Sequence, residues 1–402
     1  MIAEMSFPTQ IVLGSGVLAQ LPERLRALGA KAPLVVTDAG VVKAGLYAQL
    51  QTVLSKAGVA HALFAGVQPN PTEADCLAGL EAYRRAEADS VVALGGGSAM
   101  DAGKIIRLLV AHPLPLAQYD DLAGGAALVV GPLPPLVALP TTAGTGSEVG
   151  RSAVVTLAAE AAGPEQRELH RKAVIFSPRL IPSLALCDPE LTRGLPPGPT
   201  AATGMDAFVH CLEAYCAASL HPLADAVALD GISRATRALP RAVKDGADME
   251  ARLEMMIAAI MGAVAFQKGL GACHSLAHAL TPICGVHHGL ANAIVIPHIV
   301  EFNRQAPAEG GRPPPILDRL ARVALAMGEP PGPSTPELAR AAVARVERLA
   351  REIGVPARLR EVGLLEEQIP LVVEKAFQDG CHQLNPRKVT PADFERICRA
   401  AY

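Results

Sequence analysis

The segment GMDAFVHCLEAY places an acid and an imidazole, Asp206 and His210, four residues apart. Phe208 and Leu212 recur around them at apolar helical spacing, which predicts a buried helix. Because side chains at i and i+4 lie over one another on a helix, Asp206 and His210 reach the same point in space. They either satisfy each other as a hydrogen-bonded pair or jointly hold a ligand.

Histidine is concentrated in one stretch of the chain. Five of the 11 histidines fall within 25 residues, at positions 274, 278, 287, 288 and 298. Two of them have i,i+4 spacing, and two others precede a glycine. Imidazole and carboxylate donors without thiolate suit Fe(II), Zn(II) or Mn(II), and imidazole favours the first two. The first four of these histidines, at 274, 278, 287 and 288, make six candidate donors together with Asp206 and His210 for about four positions, and spacing alone does not choose among them.

The overall composition excludes several classes of function. With 36 basic and 39 acidic residues among 402, the chain has a formal net charge of −3 and no electrostatic footprint for nucleic acid. Aromatic residues make up 3%, which argues against stacking platforms for bases. We expect no signal peptide and no membrane span, because no basic region precedes an apolar one and no apolar run approaches roughly 20 residues. The eight cysteines form no C-x-x-C pair, so we expect a cytoplasmic protein with reduced thiols.

The chain changes character near its middle. The segments PLVVTDAG, SVVALGGGS and PPLVALPTTAGTGSE predict strands that alternate with helices, which indicates a parallel α/β sheet. The Pro- and Gly-rich segment 186–200 is a predicted junction, and helical patterns dominate beyond it. We therefore predict an α/β domain over 1–190 and an all-helical domain over 191–402.

Three turns of the first domain favour dinucleotide binding. GGGSAMDAGK follows a predicted strand and opens a helix, so its backbone N–H groups and the Ser98 hydroxyl can face a phosphate. PTTAGTGSE repeats this arrangement, and VVTDAG leaves Asp38 at a strand tip, where a carboxylate can accept both hydroxyls of a ribose. The glycine run lacks the G-x-G-x-x-G pattern and could be only a tight turn, and Asp38 could be only a turn residue. All three features on parallel strand tips make a nucleotide crevice the better interpretation.

These motifs together resemble the iron-containing (group III) alcohol dehydrogenase family. GGGSAMDAGK, PTTAGTGSEV, SLALCDPELTRGLPP, TAATGMDAFVHCLEA and HSLAHAL…HHGLANA occur in the family's order over nearly the whole chain. The resemblance implies the dehydroquinate synthase-like architecture, with an α/β dinucleotide-binding domain and an all-α metal-binding catalytic domain. It implies Asp206, His210, His274 and His288 as ligands of Fe(II), with Zn(II) as the other candidate. His288 is preferred over His287 because the family's ligand immediately precedes a glycine.

The resemblance also implies NAD as the cofactor. Asp38 matches an acidic position associated with NAD rather than NADP, because a carboxylate would repel a 2′-phosphate. The other implied contacts are Asn70, Gly96, Gly97, Ser98, Asp101, Thr141, Thr142, Thr145 and Lys172. Lys172 has an alternative role as a strand-edge residue.

The implied reaction is hydride transfer between NAD(H) and a primary alcohol/aldehyde pair. A divalent ion would act as a Lewis acid on the alcohol oxygen, nicotinamide would take the hydride and His278 would relay the proton. His278 could instead orient a ligand. The segments AFQKGLGACHSLAH and GCHQLNPRKVTPADF are most similar to a 4-hydroxybutyrate dehydrogenase-like branch, which implies an ω-hydroxy acid and a cation such as Lys268 or Arg387 for its carboxylate.

Several alternatives share the architecture. They are glycerol dehydrogenase-like polyol oxidation, a sugar-phosphate cyclase, and a non-catalytic metal-dependent binding protein. A simple primary alcohol, a diol or lactaldehyde is also open as the substrate. We expect a small-molecule alcohol or aldehyde substrate, neither nucleic acid nor membrane as a partner, and a homo-oligomer, either a dimer or a larger assembly.

Overall fold

The computed structural model describes residues 9–157, 171–308, 310 and 313–402. These residues form two compact units, one of 9–142 with 146–194 and the other of 143–145 with 195–402. The strands are β1 (Gln10–Leu13), β2 (Pro33–Val36), β3 (Ala62–Phe64), β4 (Ser90–Gly95), β5 (Leu136–Pro140), β6 (Ser152–Leu157), β7 (Arg171–Phe176) and β8 (Leu184–Cys187). The helices are α1 (Leu21–Ala27), α2 (Ala39–Lys43), α3 (Leu46–Lys56), α4 (Glu73–Arg85), α5 (Gly97–Ala111), α6 (Pro197–Cys216), α7 (Pro222–Lys244), α8 (Met249–Ala265), α9 (Ala272–Cys284), α10 (His288–Arg304), α11 (Ile316–Ala326), α12 (Thr335–Glu352), α13 (Ile369–Gln378) and α14 (Pro391–Ala401).

The α/β unit is built on a parallel sheet. Among the described residues this sheet has six strands in the order β1-β8-β5-β4-β2-β3. Successive residues of β4 enter two separate hydrophobic clusters, Val91 and Ala93 on one face and Val92 and Leu94 on the other. Both faces are therefore buried, which is why the strands are continuous apolar runs. The three segments predicted as strands form β2, β4 and β5, and the predicted fold class is confirmed.

Several strands were not predicted individually. β1 and β8 have four residues each and pair with one another in parallel, from Gln10 with Leu184 to Leu13 with Cys187. β6 and β7 form an antiparallel pair outside the main sheet. β8 ends at Cys187, so the predicted junction 186–200 begins inside a strand. Such short strands become visible only through pairing with partners that are distant in the sequence.

The second unit is helical, and its described residues contain no strand. Two glycines permit close helix packing next to the candidate site. A Cβ on Gly262 of α8 would lie 2.9 Å from Cβ of His210, and one on Gly289 of α10 would lie 2.2 Å from the carbonyl oxygen of Ala202. Since any side chain at Gly289 would collide with backbone, glycine sets how closely α10 approaches α6.

No single helix within the described ranges is long and apolar enough to cross a membrane. The neighbouring segments Met249–Lys268 and Ala272–Cys284 are long and apolar enough only when taken together, and they are bent by 109° relative to one another. Both segments contribute buried residues to the hydrophobic core of the helical unit, for example Met255 and Leu276.

Candidate metal centre

Three helices bring the predicted metal ligands together. Asp206 and His210 lie on α6, His274 lies on α9, and His288 is the first residue of α10. One ligand atom from each of Asp206, His210 and His274 lies within 4.8 Å of the other two. Nε2 of His288 lies 3.5 Å from Oδ1 of Asp206, and Nε2 of His274 lies 3.9 Å from the same oxygen. The structure thus gathers one carboxylate and three imidazoles around a single point.

Glu213 orients the His274 ring and caps its helix. Helix α9 begins after Gly271 without a side-chain cap of its own. The Glu213 carboxylate, from α6, accepts the backbone N–H groups of Gly271 and Cys273 at 3.1 and 2.7 Å. It also lies 2.7 Å from Nδ1 of His274. Because a carboxylate only accepts, Nδ1 carries the ring proton and Nε2 keeps its lone pair for a ligand.

Asn292 ties the same ligand atoms together. It lies one turn after His288 on α10 and is fully buried. Its Nδ2 donates to Oδ1 of Asp206 at 2.8 Å and lies 3.4 Å from Nε2 of His274 and 3.2 Å from Nε2 of His288. The amide group has two protons, so after donating to Asp206 it has one left for an Nε2 lone pair on either imidazole, and a ring with that lone pair is in the form that binds metal.

Burial and neighbouring charge set the protonation of the donors. Burial lowers the pKa of His210 to about 4 and that of His288 well below the ordinary value, against the opposing charge of Asp206. Burial alone would raise the pKa of Asp206, but the adjacent histidines and the Asn292 amide hold it at about 2. For His274 the hydrogen bond and charge of Glu213 overcome burial and raise the pKa. A set of one carboxylate and three imidazoles without thiolate fits Fe(II) or Zn(II).

His278 lies beside this group with a partner of its own. Its ring stacks on His288 at 5.2 Å and meets His274 edge to face at 5.9 Å. Its Nδ1 lies 2.9 Å from Oδ2 of Asp379. Burial alone would raise the pKa of Asp379, but the bond and charge of His278 and the backbone N–H of Cys381 hold it well below the usual range. His278 is therefore paired with an ionised carboxylate and is placed next to two of the predicted ligands.

In the α/β unit, three of the predicted nucleotide contacts meet. Nζ of Lys172 donates to Oδ1 of Asn70 at 2.7 Å, and the Asn70 backbone N–H donates to Oγ of Ser98 at 3.3 Å. Asn70 has a φ of 58°, in the left-handed region that asparagine tolerates better than most residues. Lys172 lies on β7, and burial lowers its pKa.

The first backbone N–H groups of α5 are not capped by a side chain and can bind an anion. Helix α5 follows Gly96 with no side-chain cap, so its first N–H groups have no partner within the helix. The Cβ position of Gly96 lies 3.4 Å from Oγ1 of Thr142, and the Thr141 N–H donates to the carbonyl of Gly95 at 2.9 Å. Uncapped N–H groups beside glycine backbone and a hydroxyl fit a phosphate.

Asp38 uses only one of its two carboxylate oxygens to cap a helix. It is the N-cap of α2, and its Oδ1 accepts the Val41 N–H at 2.9 Å. The Cβ position of Gly95 lies 3.6 Å from the other oxygen, Oδ2. One carboxylate oxygen thus caps a helix, while the second faces the glycine turn.

Asp101 and Thr145, two of the predicted nucleotide contacts, differ from the others in their surroundings. Both oxygens of Asp101 accept hydrogen bonds from the protein, from Oγ of Ser147 at 2.6 Å and from the N–H of Val154 at 3.0 Å. Burial raises the pKa of Asp101, against the charge of Lys104. Thr145 lies in the segment 143–145, which belongs to the helical unit. The Asp101 side chain therefore fastens α5 to the segment after β5.

Both cations suggested for a substrate carboxylate already have partners. Nζ of Lys268 is buried, bonded to Oδ1 of Asp225 and to the carbonyl of Tyr215 at 2.9 Å. Arg387 stacks over the Phe302 ring at 3.9 Å and donates to the Phe302 carbonyl at 2.7 Å. The arrangement gives both side chains structural roles.

The comparisons with known proteins decide the family. Residues 8–189 match the family described as iron-containing alcohol dehydrogenase, and residues 200–402 match the C-terminal part of the Fe-containing alcohol dehydrogenase family. The chain belongs to the iron-containing alcohol dehydrogenases. This confirms the resemblance seen in the motifs and makes the chain an oxidoreductase of alcohols and aldehydes.

Whole-chain relatives of this alcohol dehydrogenase act on small alcohols. The 4-hydroxybutyrate dehydrogenase of Cupriavidus necator is 40% identical over 98% of this chain and 99% of that protein. The NAD-dependent methanol dehydrogenase of Bacillus methanolicus is 36% identical, covering 98% of each chain. The crystal structure of a 1,3-propanediol oxidoreductase superimposes with a TM-score of 0.91 at 37% identity, covering 100% of both chains.

Proposed function

We propose that this alcohol dehydrogenase binds one divalent ion through Asp206, His210, His274 and His288. Fe(II) is the first candidate for this ion and Zn(II) the second. The observation that supports it most directly is the convergence of Asp206, His210 and His274 within 4.8 Å, on helices where His274 is 1% exposed and Asp206 is 3% exposed. Burying such a group without a ligand costs free energy, whereas a divalent ion neutralises the carboxylate and uses the lone pairs.

We further propose NAD as the hydride acceptor, bound through residues 1–190, while residues 191–402 provide the metal site and the acid–base group. The uncapped start of α5, the Asn70–Ser98–Lys172 group and the Asp38 carboxylate support this assignment. Asp38 opposes a 2′-phosphate by its charge, which favours NAD over NADP.

The chain's own residues then have separate tasks in alcohol oxidation. When bound, the ion would supply Lewis-acid activation of the alcohol, and NAD would supply the hydride acceptor. Glu213 and Asn292 keep the Nε2 lone pair of His274 available. His278 accepts the hydroxyl proton at Nε2, because its Nδ1 is already engaged with Asp379.

For the substrate we propose a small primary alcohol and its aldehyde, with 4-hydroxybutyrate and its semialdehyde as the first pair to test. The 40% identity to the Cupriavidus necator enzyme supports that pair. The structural partners of Lys268 and Arg387 leave its carboxylate without an assigned cation. We also propose a homo-oligomer, which sedimentation of the purified protein would test.

The decisive experiment combines metal analysis with an alcohol panel. Fresh protein should contain about one Fe or Zn per chain and should form NADH with 4-hydroxybutyrate, 1,3-propanediol or methanol. Chelation should abolish turnover, and Fe(II) should restore it. Glycerol and a phosphorylated sugar test the polyol and cyclase alternatives, since a cyclase consumes its sugar phosphate with no net change in NADH. No NADH from any alcohol with metal-loaded protein would contradict the proposal.

A further inference from the structure

His278 and Asp379 are bonded although 101 residues separate them. Asp379 directly follows α13, and its Oδ2 lies 2.9 Å from Nδ1 of His278. A carboxylate only accepts, so Nδ1–H donates and Nε2 is the ring nitrogen that keeps a lone pair. We propose that Asp379 is the positioning residue of His278, fixing the tautomer and the rotation of the imidazole that exchanges the substrate's proton. This inference rests on the proposed role of His278.

The ring has one orientation that satisfies its neighbours. His278 stacks on His288 with an interplanar angle of 16° and meets His274 edge to face at 69°. Turning the ring over would break the bond at Nδ1 and place the carbon Cδ2 against Asp379. The stack and the bond together keep Nε2 on the side of the ring away from the carboxylate.

The carboxylate is itself held in place. Oδ1 of Asp379 accepts from Oγ of Ser275 and from the backbone N–H of Cys381, both at 2.8 Å. Oγ of Ser275 in turn accepts the N–H of His382 at 2.9 Å. Since Ser275 and His278 are three residues apart on α9, one helix face binds both oxygens of Asp379. Asp379 cannot turn away without losing bonds to α9 and to its own loop.

Helix α9 therefore contains the same arrangement twice, one turn apart. His274 has Glu213 on Nδ1 at 2.7 Å, and His278 has Asp379 on Nδ1 at 2.9 Å. The two pairs differ in exposure, because the side chain of His274 is 1% exposed and that of His278 is 33% exposed. The buried imidazole is suited to keep a metal, and the partly exposed one can exchange protons with water.

A double-mutant cycle tests this inference on the metal-loaded enzyme. Asp379→Ala should lower kcat about 10- to 100-fold, while metal content and the KM for NAD stay near those of the wild type. In a His278→Ala background the same change should alter kcat less than about twofold, because Asp379 acts only through that ring. If the kcat of the double variant were lower than that of His278→Ala by the full factor seen in Asp379→Ala alone, the inference would be overturned. Loss of metal in Asp379→Ala would also overturn it.

Two further variants guard against a folding effect. Asp379→Asn keeps the side-chain size, but its amide group favours the other tautomer, so kcat should fall as in Asp379→Ala while thermal stability stays closer to that of the wild type. Glu374→Gln, exposed on α13, is the matched control and should change nothing. A normal kcat in Asp379→Asn would show that the charge of Asp379 is not needed, contrary to the proposal.

A spectroscopic test does not depend on turnover. Nitrogen NMR of the zinc-loaded protein with ¹⁵N-labelled histidine should show the signals of an Nδ1-protonated ring that are absent in His278→Ala. In Asp379→Ala these signals should change to those of the other tautomer or to an average of the two tautomers in exchange. An Nε2-protonated His278 in the wild type would contradict the inference even if the enzyme is active. Absence of turnover combined with the expected spectrum would instead contradict the proposed function alone.

Discussion

Glu213 and His274 are joined twice, because one carboxylate oxygen of Glu213 lies 2.7 Å from the ring nitrogen Nδ1 and 3.3 Å from the backbone nitrogen of His274. A single side chain on α6 thus sets the rotation of the His274 ring and the position where α9 starts. Since Asp206 and His210 lie on the same helix as Glu213, α6 provides two predicted ligands and the support of a third.

Glu213→Gln should weaken metal binding about 10- to 100-fold, because the amide can turn its NH₂ toward Nδ1 and release the ring from the required tautomer. Competition with a chelator measures the affinity. Glu254→Gln, on the partly exposed ion pair with Arg234, is the control and should leave the affinity unchanged. Equal affinities in the wild type and Glu213→Gln would show that the bond does not orient His274 for a metal.

Asp206→Ala and His274→Ala should each abolish bound metal and turnover, because each removes a donor from a group of about four. NADH binding, followed by fluorescence, should remain largely intact, since all of the proposed nucleotide residues except Thr145 belong to the α/β unit. His298→Ala, further along α10, should keep its metal. Wild-type metal content in either ligand variant would exclude that residue as a ligand.

His278→Ala should keep the metal and bind cofactor but oxidise alcohols about 10²- to 10⁴-fold more slowly, as expected for loss of a general base. The measurement is iron or zinc per chain before any assay, followed by kcat. Metal depletion equal to that of His274→Ala would make His278 a ligand and contradict the choice of His288.

Asp38→Asn should relax the preference for NAD over NADP while the helix cap is kept, because asparagine also accepts the Val41 N–H. Asp38→Gly removes both the charge and the cap and should relax the preference equally, with a somewhat lower stability. The ratio of kcat/KM for the two cofactors measures the effect. An unchanged ratio in both variants would show that Asp38 serves only as a cap.

Glu148 should make the α/β unit less stable as the pH rises from about 4.5 to about 7. Burial raises the pKa of its carboxyl from 4.5 to about 7, against the charge of Lys104. In that window the folded state binds more protons than the unfolded state, so stability falls with rising pH, by up to about 3 kcal/mol.

Glu148→Gln should remove this dependence. Its thermal midpoint should match that of the wild type near pH 4 and exceed it at pH 7 and above. The exposed Glu190→Gln is the control, and its midpoint should follow the wild type throughout. A difference between Glu148→Gln and the wild type that does not change with pH would contradict the expected pKa.

Much of the site was accessible from local sequence. The i,i+4 pair on α6 and the motif order predicted the family, the α/β unit and the candidate ligands. Two supporting residues were missed although local signals exist: Glu213 lies three residues after His210, and Asn292 lies four residues after His288. Both share a helix face with a predicted ligand, so the same spacing argument applies to them. For Lys268 and Arg387 no local signal shows that their charges are already bonded within the helical unit.

By itself the sequence determined the periodic elements and the chemistry of the donors, because apolar spacing and residue type act over one or two helical turns. Only the tertiary structure decided which donors converge. Asp379 meets His278 across 101 residues, and β1 pairs with β8 across an even longer separation, from Gln10 to Leu184. These pairings depend on how whole helices and strands pack, and no short-range pattern encodes that. The proton-relay candidate therefore has a recognisable residue in the sequence, while its carboxylate partner emerges only from the fold.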